Sequence, residues 1–65
     1  MYPRYISVHR KQNEDEVLVI VDSIAYVEDN GNGTSTIVFN YGGGFSVNES
    51  YEKIAEDLMV NVKHP

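Results

Sequence analysis

The sequence contains no cysteine among its 65 residues. Disulfides and thiolate zinc sites, the usual staples of so short a domain, are therefore excluded. It also has no run of about 18 apolar residues, so no transmembrane helix and no membrane partner are expected. Cations are scarce: five Lys and Arg stand against ten Asp and Glu, a formal net charge of −5. That balance disfavours duplex DNA, whose phosphates need a concentrated basic face. Charge alone does not exclude a single strand. The first residues, Met1-Tyr-Pro-Arg4, lack the apolar centre of a signal peptide. Together with the missing thiols, which fit a reducing compartment, this makes a cytoplasmic protein the expectation.

Residues 1–65 make a single domain with no internal repeat or linker. A domain of this size buries roughly 60% of its unfolded surface. A single core of this size rarely supplies more than about 3–5 kcal/mol. Self-association is a natural way to cover what such a thin core leaves open. The charge is also unevenly spread. Arg4, Arg10 and Lys11 precede every acid, and all ten acids fall between Glu14 and Asp57. The plain reading is a solvated surface. The sharper one is a basic N-terminal edge that meets an acidic patch of a neighbouring subunit or a small anionic ligand.

Tyr5 to Arg10 alternates, with Ile6 and Val8 on one face, and is read as a half-buried strand. Lys11-Gln-Asn-Glu-Asp15 is polar and is read as a loop. Val17-Leu-Val-Ile-Val21 is apolar on both faces, which fits a central strand covered on both sides. Asp22-Ser23 interrupts it. Ile24 and Val27, three apart, predict a half-turn leading into the next strand. Asp29-Asn-Gly-Asn-Gly33 is the strongest turn signal, because Asn-Gly supplies the positive φ of tight hairpins. Ile37, Phe39 and Tyr41 then alternate along another strand. Gly42-Gly-Gly44 reads as a reversal, with Phe45 to Val47 returning beside it.

A helix is expected to follow, capped by Asn48 or Ser50. Glu49 and Glu52 are placed in its first turn, where the dipole favours negative charge. Tyr51, Ile54, Ala55, Leu58 and Val62 form its apolar stripe, and Lys63-His-Pro65 is read as a frayed end. The fold class is therefore α+β. The expectation is one small, curved antiparallel meander sheet of four or five strands, with a C-terminal helix packed on it.

No chemistry-bearing motif emerges. Gly42-Gly-Gly44 lacks the Lys-Ser/Thr pair and the immediate helix of a phosphate loop. Asp29 to Gly33 lacks the length and closing Glu of a calcium loop. Glu52 and Glu56 lie one turn apart on the polar helix face, not in a cleft that separates their pKa values. Asp22 reads as a turn acid. His9 and His64 do not make a metal pair. No catalytic residue, metal ligand or cofactor is assigned. The binding candidates are Arg4, Tyr5, His9, Arg10 and Tyr41, with Tyr2 nearby. Aromatics interleaved with cations suit a protein interface or a nucleotide. Tyr26, Tyr41 and Tyr51 are otherwise read as core-edge residues with the hydroxyl in water.

Two segments, Ser23-Ile-Ala-Tyr-Val-Glu28 and Val47-Asn-Glu-Ser-Tyr-Glu-Lys-Ile54, resemble the small FlbD-like family of flagellar regulatory proteins. That family shows an Ile-x-x-Ile-Glu type segment, a hairpin, and a Val-x-Glu-Ser opening to its last helix. The chain is also similar to small β-rich proteins of gut bacteria and their phages. The resemblance implies a regulatory module without catalytic residues, bacterial or phage-encoded. The expected function is that of a non-enzymatic interaction module, a homo-oligomer or the binder of a protein partner. The alternative is a protein that binds or sequesters a small anionic nucleotide between subunits.

Overall fold

The computed structural model describes residues 4–62, with side chains as far as Met59. Tyr2, Lys63, His64, Pro65 and the side chain of Val62, all read in the sequence, lie outside the described residues. The chain is α+β. Strands β1 (Tyr5–His9) and β2 (Glu16–Ile20) lead through a 3-10 turn, Val21–Ser23, to β3 (Ile24–Asp29), β4 (Ser35–Phe39) and β5 (Gly43–Val47). Helix α1 (Tyr51–Val62) follows.

The strands make two antiparallel sheets, β1–β2 and β3–β4–β5, where one was expected. Among the described residues the two are stitched by a single bridge, Arg10 to Val47. Lys11 N–H donates to the Ser46 carbonyl and Asn48 N–H to the His9 carbonyl, both at 2.9 Å. The link stops there because β1 leads into its own loop and β5 into the helix.

The inward faces close on one another. Ile6, Val8 and Val19 from the hairpin meet Ile37, Phe39 and Val47 from the second sheet, with Ile54 of α1 closing the core. Full burial of side chains of this size is worth about 1.5–3 kcal/mol each. Ser35, also buried, donates its hydroxyl to the Glu49 carbonyl at 3.0 Å.

Four sequence expectations change. Val17–Val21 is not a central strand: β2 pairs with β1 alone. The three-residue spacing of Ile24 and Val27 comes from a β-bulge between Ile24 and Tyr26. One extra residue turns both side chains inward, against the core. The second glycine turn closes at Gly42, whose φ is +97° and whose N–H reaches the Phe39 carbonyl at 3.0 Å. Gly43 and Gly44 belong to β5. Finally, Tyr26, Tyr41 and Tyr51 are exposed rather than tucked at the core edge.

The Asn-Gly-Asn-Gly turn does join antiparallel neighbours, β3 and β4. Gly31 and Gly33 both adopt positive φ there. Asp29 and Asn32 side chains accept the N–H groups of Gly31 and Thr34. The helix starts as its cap requires: Ser50 Oγ accepts the Lys53 N–H at 3.1 Å.

Candidate functional site

The five candidate residues do not share one cleft. Arg4 precedes β1 and pairs with Asp22 of the 3-10 turn at 2.6 Å. Tyr5 and His9 stand at the two ends of the outer face of β1. Arg10 follows β1 and lies over the Phe45 ring, 4.2 Å from its centroid. Tyr41 stacks on Phe39 at 5.3 Å, nearly parallel, and Phe39 in turn meets Phe45 at 5.6 Å. Arg10 and Tyr41 thus end one aromatic row, while Arg4, Tyr5 and His9 sit elsewhere. Beside Arg10 lies an open hollow of about 570 Å³, lined by Lys11, Gln12, Phe45 and Ser46.

Strand register determines which side chains share the outer hairpin face. Tyr5 pairs with Ile20, Ser7 with Leu18 and His9 with Glu16. Paired residues point the same way. Tyr5 is 53% exposed, Leu18 60% and Ile20 42%. Three large apolar side chains therefore lie side by side in water. At the other end of the same face, the Ser7 hydroxyl donates to Glu16 at 2.6 Å. Sequence reading singled out Tyr5 and His9 here but missed Leu18 and Ile20, which looked like core. They are exposed because, among the described residues, no second layer covers the outer face of the hairpin, and layering cannot be read from a local pattern.

His9 also anchors the architecture. Its backbone N–H reaches Glu49 Oε1 at 2.9 Å, and its Nδ1 lies 2.8 Å from Glu49 Oε2. Glu49 thus precedes the helix cap and clamps β1, instead of serving the first helical turn. The hydrogen bond from Glu49 outweighs desolvation and raises the His9 pKa above its ordinary value, with Glu16 and Glu14 adding to the rise. For Glu49, burial pushes the pKa up. The His9 ring, the His9 N–H and its own N–H more than offset that, so it sits below the usual carboxylate range.

An apolar groove of about 430 Å³ runs between β3 and α1, bordered by Ile24, Tyr26, Val27, Tyr51 and Leu58. Among the described residues, no three His, Asp or Glu side chains converge as metal ligands. Nor is any described helix long and apolar enough to cross a membrane. No family model, curated protein or solved structure matches the chain.

Proposed function

We propose that the chain is a small non-enzymatic regulatory module that works by associating with copies of itself. The observation that carries this reading is the outer face of the hairpin, where Tyr5, Leu18 and Ile20 stand exposed together. Apolar side chains grouped in this way mark interaction sites more often than lone ones do. The charge distribution supports a second copy as the occupant. Residues 4–20 hold three cations (Arg4, Arg10, Lys11) and three acids (Glu14, Asp15, Glu16), so the hairpin is formally neutral. The remaining residues carry the whole −5, from seven acids and two lysines. Two copies therefore repel least when they meet through their hairpins.

Light scattering tests the reading. The expected mass at high micromolar protein is a multiple of 7.4 kDa, and Leu18→Lys should return it to the monomer. A wild-type chain that stays monomeric there removes the proposal.

One observation favours a second reading, the binding of a small anionic nucleotide. Arg10 and Lys11 border an open hollow next to an aromatic row that ends in Tyr41. Calorimetry against linear and cyclic nucleotides discriminates the two, because self-association alone predicts no heat of nucleotide binding.

A further inference from the structure

Resting on that self-association reading, we infer that two copies pair edge to edge along β2. They run antiparallel about a twofold axis at Leu18 and form one four-stranded sheet.

The edge is open. Val21 N–H bonds to the Arg4 carbonyl and Arg10 N–H to the Asp15 carbonyl. Antiparallel bonding alternates, so Val17 and Val19 bond inward to β1. The backbone groups of Glu16, Leu18 and Ile20 point the other way. The Ser23 hydroxyl takes the Ile20 carbonyl at 2.7 Å. Among the described residues, no strand pairs with the Leu18 side.

The edge is also lightly guarded. Strands that must stay single carry charged residues, Pro or a bulge. Glu16-Val-Leu-Val-Ile20 has neither Pro nor bulge, its one charge, Glu16, stands at its end, and its pairing with β1 runs in register throughout. At one edge of the larger sheet, β3 is guarded: it has a bulge, ends in Glu28 and Asp29, and lies beside α1.

The register follows from overlap and charge. Centring on Leu18 pairs all five residues of β2. It sets Leu18 against its counterpart and Glu16 against Ile20 of the second copy. The two Glu16 carboxylates then lie at opposite ends. Packing the outer faces together instead would bury Glu16, His9 and Ser7 along with the apolar trio, and desolvating a carboxylate is expensive. Edge pairing keeps those three in water and covers the apolar trio only from the side, by setting Leu18 against Leu18 and Ile20 against Glu16 of the second copy.

Single cysteines test the arrangement cleanly, because the chain has none of its own. Edge pairing brings the two Leu18 Cα atoms to about 5.5 Å, within disulfide reach. Face packing would hold the backbones about 10 Å apart, beyond it. The two Ile20 positions would be about 13 Å apart in the edge register. Under a mild oxidant, Leu18→Cys should link into dimers about tenfold or more faster than Ile20→Cys or the helix control Met59→Cys. Circular dichroism checks that each variant is folded. Wild-type dimers with no preferential Leu18→Cys link overturn the edge inference and leave self-association standing. A monomeric wild type overturns both.

Discussion

The two sheets differ most on the sides they turn to water. The outer face of β3–β4–β5 is polar at its centre: Thr36 Oγ1 bonds to Asn30 Oδ1 at 2.9 Å and lies 3.0 Å from Ser46 Oγ. The outer face of β1–β2 shows Tyr5, Leu18 and Ile20 instead. Inside, the two sheets are alike, each contributing aliphatic side chains to one core. Burial thus explains both inner faces and only one outer face. The apolar side chains on the outside of the hairpin lie outside the core of the single chain, and the proposed self-association is built on them.

The sharpest test of that contrast pairs a core residue with an outer one. Ile37→Ala should remove about 2–5 kcal/mol, which matches the whole stability of such a domain. Urea titration should find the variant largely unfolded. Leu18→Ala, read at concentrations where the chain is monomeric, should stay within about 0.5 kcal/mol of wild type. Equal losses would mean that Leu18 belongs to the core and that the contrast is false.

The second test lies within β5. A side chain at Gly44 would run into the Ile37 carbonyl oxygen and approach Val38 Cα to 3.2 Å. Gly44→Ala is expected to lose about 1–3 kcal/mol by overpacking. At Gly43 the added carbon meets only the Tyr41 ring edge, at 3.8 Å. Gly43→Ala should therefore leave the thermal midpoint nearly unchanged. If both variants behave alike, the close approach of β4 and β5 is wrong.

Ser50→Ala should lose about 1 kcal/mol by leaving the Lys53 N–H uncapped. In a domain of this size that is about 4–8 °C in midpoint. Ser50→Gly should lose only a few tenths of a kcal/mol.

The smallest effect is the pH dependence of the clamp between β1 and the helix start. His9 is raised from 6.5, so its contribution is full below that pH and drains away as the pH rises through its raised value. Glu49 is lowered from 4.5, so its contribution is full above that pH and is lost as the pH falls through its lowered value. Thermal midpoints should form a plateau between 4.5 and 6.5 and decline on either side. Glu49→Gln should flatten the step on the alkaline side. A step that survives the substitution would mean that the charges of Glu16 and Glu14, and not Glu49, hold the His9 imidazolium.

What the sequence revealed depended on how local each cause was. Ser50, Gly31 and Gly33 act within a few residues of themselves, so the helix start and the β3–β4 turn could be read directly. Ile54 and Leu58 keep helical spacing, so the buried stripe was visible too. The bulge at Ala25 left a trace, the three-residue gap between Ile24 and Val27, which an irregular turn explains equally well. The split into two sheets left none. It depends on a bridge between Arg10 and Val47, and nothing at either residue announces the other. The misplacement of Leu18 and Ile20 is equally non-local, because an apolar run looks the same under a second layer as it does facing water. Glu49 was drawn to the helix by its position and is held by His9 from far along the chain.

The Glu49 clamp spans 40 residues of sequence. A growing chain emits the β1–β2 hairpin long before the segment that fastens it. During synthesis the hairpin therefore waits with both sides bare, and the distant closure sets the pace of folding.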